Sequence, residues 1–213
     1  MGIKGILKST KYHRKYWKNR KNIDWKAAYG PQEPEHPHRN VIVDTLRRFD
    51  FRSVLEVGCA AGANIYRIKE AFPRADVGGI DWNEEAIEEA KRMLPRATVL
   101  QVGEADDIYI SSNGSDILLS DMCYIYLGSK DFKKAIKEAK RVARVGVIFC
   151  EFNETNWIKR FMIRLTTGYN AYDYTKELNR VGFHDIEIQK LTPANWPGTE
   201  KENGLRAVIS ARA

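Results

Sequence analysis

The sequence is poor in cysteine. Cys59, Cys123 and Cys150 make an odd number with no CxxC pair. That pattern argues against a disulfide framework and a cysteine zinc site, and it fits a reducing compartment. Each lies in or just after an apolar run, where a thiol behaves as a small buried hydrophobe. Long apolar runs are missing too. No stretch reaches the roughly 18 residues of a spanning helix, so no membrane partner is expected. The basic N-terminus lacks the apolar segment of a secretory signal. It opens like a myristoylation site, but Ile6 stands where Ser or Thr is wanted. A soluble, cytoplasmic protein is expected. Acid is scarce at one end: residues 1–28 carry nine Lys and Arg against one acid, Asp24, although the formal charge of the whole chain is only +7. The basicity therefore describes an arm, while the body is close to neutral.

The 213 residues suffice for one large domain with a buried core. The Pro-rich stretch YGPQEPEHPH, residues 29–38, marks the end of a basic N-terminal arm and lid segment, 1–38, ahead of the main domain, 39–213. From there strands and helices alternate. SVLEVG precedes the helical NIYRIKEAF, and ADVGGID precedes NEEAIEEAKRML. ATVLQVG is followed by a short helical stretch near Ala105, SDILLSD by the helix SKDFKKAIKEAKRVA, and VGVIFCEF is the fifth strand. Asn83 and Ser129 stand where helix caps are wanted. Short continuous apolar strands between amphipathic helices indicate a parallel sheet covered on both faces. The tail departs from this pattern. A helix, YDYTKELNRVGF, ends at Gly182, and HDIEIQKL and GLRAVISARA are joined by a loop alone, so they should pair antiparallel. The expected fold is α/β: a doubly wound, seven-stranded, mostly parallel sheet with a C-terminal antiparallel hairpin and helices on both faces.

Chemistry concentrates in SVLEVGCAAGANI, residues 53–65. A glycine-rich turn between the first strand and its helix lets a ligand approach the backbone. A dinucleotide fingerprint would want glycine at Gly58, Ala60 and Ala63, and two of these three are alanine. Small residues at Gly58, Ala60 and Gly62 form a different spacing. Glu56, two residues earlier, would repel a pyrophosphate and attract a cation.

LEVGCAAG resembles the first motif of the class I S-adenosylmethionine-dependent methyltransferases, E/D-x-G-x-G-x-G, with Ala60 at the middle glycine. The resemblance runs through roughly residues 39–212. It implies S-adenosyl-L-methionine as cofactor, with Glu56 facing its ammonium and backbone at Gly58 and Ala60 lining its amino-acid portion. Asp81, ending the second strand, would accept both ribose hydroxyls, and Trp82 would pack on the adenine or ribose edge. VGEADDI is similar to the family's GDAxDL, so Glu104 would accept from the adenine amino group and the Ala105 N–H would face a ring nitrogen. SDILLSDM matches the fourth motif. Its end, Ser120 to Met122, is where methyl group and acceptor should meet.

The adenine and glutamine N-methyltransferases usually carry [DNS]-PP-[YF] after that strand, and SDMCYIYLG has no proline. Asp121 is the best-placed ionisable group, either orienting an acceptor hydroxyl or amine or capping the next segment. Tyr124 and Tyr126 either line the acceptor pocket or belong to the core. Glu151 and Asn153 could join Asp121 as oxygen ligands, but the adjacent Asp-Asn of metal-dependent O-methyltransferases is absent and no metal is expected. The segment around Trp25, Tyr29, His36, His38 and Arg39 is the natural lid, with Tyr29 or Arg39 touching cofactor or acceptor. Residues 1–15 are expected to be a solvated terminus. The leading expectation is methyl transfer to a hydroxyl or amine of a small molecule. An RNA methyltransferase using the basic arm and the basic stripe of residues 130–144 is less favoured. A non-catalytic partner subunit of the same fold is the third reading.

Overall fold

The computed structural model describes residues 9–29, 36–200 and 204–213. Expectations for residues 1–8 and for 30–35 of the linker lie outside them. Among the described residues seven strands form one sheet: β1 (Ser53–Val57), β2 (Asp76–Asp81), β3 (Val99–Val102), β4 (Ser115–Asp121), β5 (Ala143–Phe152), β6 (His184–Lys190) and β7 (Arg206–Arg212). Their order is β3-β2-β1-β4-β5-β7-β6. The first five strands run parallel, and β7 pairs antiparallel with both β5 and β6. This is the expected doubly wound sheet. The last strand, not β6, lies beside β5. Ala207–Ala211 is buried throughout, whereas β6, with its polar His184, Asp185, Glu187 and Gln189, forms the edge. Strand order reverses between β1 and β4, which opens a crevice at the carboxyl ends of these strands.

Helices cover both faces: α3 (His38–Leu46), α4 (Ala63–Ala71), α5 (Glu84–Met93), α6 (Ser129–Val142), α7 (Trp157–Thr167) and α8 (Tyr174–Arg180). The two-residue alternation of β4 feeds two cores. Leu118 joins Phe132, Phe149 and Tyr174 on one face, and Ile117 and Leu119 join Ile42, Leu46 and Ile65 on the other. In α6, Phe132, Ala135, Ile136, Ala139 and Val142 recur at helical spacing and are all buried. Burying the Phe132 side chain alone stabilises by about 2–3 kcal/mol.

Four local expectations need correction or completion. Residues 9–15 are not a solvated terminus: Thr10–Lys18 forms α1, capped by Ser9, with Thr10 and His13 buried. A second arm helix, α2 (Trp25–Tyr29), follows and buries Trp25. The stretch at Ala105 is not helical but a tight reversal with a bridge between Glu104 and Asp107. Asn83 does cap α5, accepting from the Ala86 N–H (3.0 Å), but Ser129 lies inside α6, whose cap position is Gly128. The Gly128 N–H is satisfied instead by Thr10 Oγ1 of the arm (2.7 Å). Finally, α7 carries an apolar pattern that the sequence reading left unassigned.

Candidate active site

The crevice holds a cavity of about 420 Å³, within the range of small-molecule sites. Its floor is the turn after β1. Gly58 (φ +79°), Ala60 (φ +46°) and Gly62 (φ +87°) all adopt left-handed conformations, which explains the run of small residues. A Cβ on Gly58 would stand 2.6 Å from the Cys123 side chain, and one on Gly62 would collide with Leu94. Gly58 and Ala60 line the cavity; Gly62 shapes the turn from outside it. The turn is fastened to β2 by Gly58 and Cys59 N–H groups donating to Ile80 O (2.8 and 3.0 Å). Asp81 adds a second tie, accepting from Ala60 N–H (3.0 Å) and Asn83 N–H (2.8 Å). Its carboxylate lines the cavity, and burial pushes its pKa up against those two hydrogen bonds. Trp82, Gly103 and Ala105 continue the wall.

Glu56 is buried beneath this floor. Its Oε1 accepts from Asn64 Nδ2 (2.7 Å), and the same nitrogen donates to Asp121 Oδ2 (2.9 Å). Asn64 thus holds two carboxylates together. Their other oxygens, Glu56 Oε2 and Asp121 Oδ1, are buried without a hydrogen-bond partner. Burial, augmented by the Asp121 charge and only partly offset by Asn64, pushes Glu56 up to about 8. Burial pushes Asp121 up as well, but His38, Asn64 and Arg39 outweigh it and hold Asp121 down at about 2. The Arg39 charge acts on both carboxylates, and their two unpartnered oxygens leave room for a further cationic donor.

At the same end, His38 Nε2 meets Asp121 Oδ2 at 2.8 Å, and His38 Nδ1 meets His36 Nδ1 at 2.6 Å. Trp196 lies against both rings, with centroids 4.3 Å from His38 and 4.9 Å from His36. Arg39 is buried and lines the cavity here. The arm forms the roof. Trp17, Trp25 and Tyr29 line it, and Trp17 packs on Tyr126 (5.5 Å). Arg20 donates to the Tyr29 hydroxyl (3.2 Å) and lies over the Trp17 ring (4.8 Å).

Of the residues singled out in the sequence, Gly58, Ala60, Asp81, Trp82, Ala105, Asp121, Tyr126, Tyr29 and Arg39 come together around one cavity. Others do not face it. Tyr124 turns into the core, fully buried against Phe132 and Phe149. Ser120 is buried and donates to Glu151 Oε1 (2.7 Å). Glu104 accepts from Trp82 Nε1 (2.5 Å) and ion-pairs with Arg14 and Lys18 of α1 (2.9 Å each), so arm side chains engage it. Glu151 does not join an oxygen cluster with Asp121. It accepts backbone N–H groups of Cys123, Tyr124 and Ile125 (2.9, 2.9 and 3.3 Å) and so caps the 3-10 turn Tyr124–Tyr126. Burial pushes it up to about 7. Asn153 accepts from the Tyr174 N–H (3.2 Å). His38, Asp121 and Cys150 do bring donor atoms within 4.8 Å of one another. However, the His38–Asp121 hydrogen bond occupies that space, and burial keeps the Cys150 thiol protonated, which suits a divalent ion poorly.

Sequence reasoning missed Asn64 and Trp196, and it placed His38 in the lid without its contact to Asp121. Asn64 had a signal: it is a polar residue in the first turn of a helix that otherwise buries that face. Trp196 had only its place in a loop.

Residues 54–146 match the family described as "Methyltransferase domain". A curated relative, trans-aconitate 2-methyltransferase of Afipia carboxidovorans, is 27% identical over 104 residues, which cover 47% of this chain and 40% of that protein. The chain thus spans less than half the length of that relative. Among solved structures, geranyl diphosphate C-methyltransferase from Streptomyces coelicolor A3(2) superposes with a TM-score of 0.65 at 14% identity, covering 95% of this chain and 97% of that one. Magnesium protoporphyrin IX methyltransferase from Synechocystis PCC 6803 gives 0.63 at 14% identity, covering 97% and 95%. At these identities the likeness is one of fold.

Proposed function

We propose that this chain, a class I S-adenosylmethionine-dependent methyltransferase in its fold and in the family its residues 54–146 match, transfers a methyl group to a hydroxyl or amine of a small molecule. The observation that carries the reading is a pair of carboxylates, buried Glu56 beneath the floor and Asp121 in the wall of a cavity floored by open backbone, each with one buried oxygen lacking a hydrogen-bond partner. A zwitterion suits this corner, its ammonium facing the carboxylates and its carboxylate facing Arg39. Asp81 would take ribose hydroxyls on its remaining lone pairs, and Trp82 and Ala105 would flank the base. When bound, S-adenosylmethionine supplies an electrophilic methyl group on a sulfonium, and the protein's task is alignment and proton handling.

The acceptor end is the His38–Asp121 pair. Asp121, ionised well below neutrality, is a weak base but a strong acceptor, so it orients a donor hydroxyl or amine and the His38 ring. The His38 ring stands between Asp121 and His36, with Nε2 on Asp121 Oδ2 and Nδ1 on His36 Nδ1. A proton leaving the acceptor can enter this chain, and its charged form is stabilised by Asp121. The roof of Trp17, Trp25 and Tyr29 excludes water from the site.

The RNA reading draws less support. Arg14 and Lys18 of the arm are spent on Glu104 and Asp106. In the second basic stripe, Arg141 binds Glu138 and the carbonyls of Ile108 and Ile110, and Arg144 binds Asp116. The test is formation of S-adenosylhomocysteine with panels of small hydroxyl and amine acceptors, beside a salt titration of labelled single-stranded RNA. His38→Ala should lower kcat more than cofactor affinity, and Asp121→Asn should lower both. Turnover of RNA at physiological salt, with none on either panel, would overturn the reading.

A further inference from the structure

We propose that α7 is an interfacial helix that docks the protein on an anionic lipid bilayer. No residue of α7 is buried. Trp157 is 70% exposed, Ile158 53%, Phe161 54% and Met162 48%. With half-buried Leu165, these side chains occupy roughly 140° of the helix circumference at 3.6 residues per turn. The opposite side is anchored. Ile163 packs in a cluster with Ile125 and Phe152, and Arg160 donates to the carbonyls of Glu154 (3.0 Å) and Thr155 (2.8 Å). The helix is therefore amphipathic in the reverse sense, with its apolar stripe facing outward. Helical spacing puts exposed Lys159 at one edge of that stripe and Arg164, half-buried with its Nε covered, at the other, and the helix contains no acid.

Next to its C-terminal end stands α1, whose His13 ring meets Gly168 O at 3.3 Å. It presents exposed Lys11, Tyr12, Lys15 and Tyr16. Lys11, Lys15, Lys159 and Arg164 have no acidic partner among the described residues.

The occupant must offer hydrocarbon and negative charge together. A second copy on a two-fold axis would set cation-edged stripes against each other with no acid in α7 to pair them. Single-stranded RNA would meet the cations but leave Ile158 and Met162 against phosphates. Acyl chains beneath anionic headgroups satisfy both demands. No helix among the described residues is long and apolar enough to cross a membrane, and an interfacial helix needs no such length. Tyr169, just beyond α7, packs on Tyr126 of the cavity wall (5.6 Å), so the docking face lies one ring from the site.

The test is co-sedimentation of the full chain with vesicles of phosphatidylcholine alone and of phosphatidylcholine with phosphatidylglycerol. Binding is expected to the anionic vesicles. The double variant Lys159→Glu with Arg164→Glu should lower partitioning about tenfold or more. Phe161→Ser with Met162→Ser should do the same through lost apolar burial. Phe161→Ser with Met162→Ser should keep the melting temperature within a few degrees, since both side chains are exposed while Ile163 and Arg160 hold the helix. Brominated acyl chains should quench emission that Trp157→Phe removes. Absence of binding to anionic vesicles, or unchanged binding by both double variants, would overturn the proposal. So would a dimer that Phe161→Ser with Met162→Ser dissolves, or RNA binding at the same salt that Lys159→Glu with Arg164→Glu abolishes.

Discussion

Cofactor binding should release a proton from Glu56. Without ligand this carboxyl is pushed up to about 8 by burial and by Asp121, while its Oε2 has no partner. At pH 7 about one-tenth of it is ionised. A cation placed on Oε2 selects the carboxylate, so about 0.9 proton should leave per ligand bound. Asp121, held at about 2, is already ionised and contributes nothing. Ionising Glu56 costs about 1.4 kcal/mol at pH 7 and little above pH 9, which by itself would tighten binding about tenfold. The ligand's own α-amino group loses its charge near pH 8, so affinity should peak there. Calorimetry at pH 7 in buffers of different ionisation enthalpy reads the proton count directly. In Glu56→Gln the release should vanish, and binding should weaken by about 1.5–3 kcal/mol, the scale of a charged hydrogen bond. No net proton change in the native protein, or an equal release from Glu56→Gln, would refute the argument.

The ligand-free protein should lose stability as pH rises. Glu56 and Glu151 have folded values, about 8 and about 7, above their ordinary 4.5. Their contribution is complete below pH 4.5 and is lost through pH 7–8, so the melting temperature should fall over that span and Glu56→Gln should flatten the upper part. A melt independent of pH would contradict the burial of both groups. Ala60 sits at φ +46°, so Ala60→Gly should stabilise by about 1 kcal/mol in denaturant unfolding. Gly58→Ala meets both the left-handed backbone and the Cys123 side chain, and should destabilise by about 2 kcal/mol or more. Removing residues 1–22 takes away Trp17 from the roof and the Thr10 hydroxyl from Gly128. The shortened chain should fold, melt several degrees lower and bind cofactor about tenfold more weakly. Unchanged affinity would show that the arm is no part of the site.

The fold and the small-residue turn after β1 were legible because their signals are local. The alternation of apolar strands and amphipathic helices sets layer and direction, and Gly58, Ala60 and Gly62 announce a left-handed turn within five residues. Asp81 sits where a strand ends, so its side chain has one place to go. What the tertiary structure alone decided was pairing and facing. His38 and Asp121 are 83 residues apart, and no periodicity links them. Tyr124 and Tyr126 stand in one 3-10 turn two residues apart, so one enters the core while the other lines the cavity. Glu104 and Glu151 carry the same charge, yet arm cations engage the one and three backbone N–H groups the other. A carboxylate's role is set by which donors surround it once it is buried, and in this chain those donors come from distant segments brought together by packing.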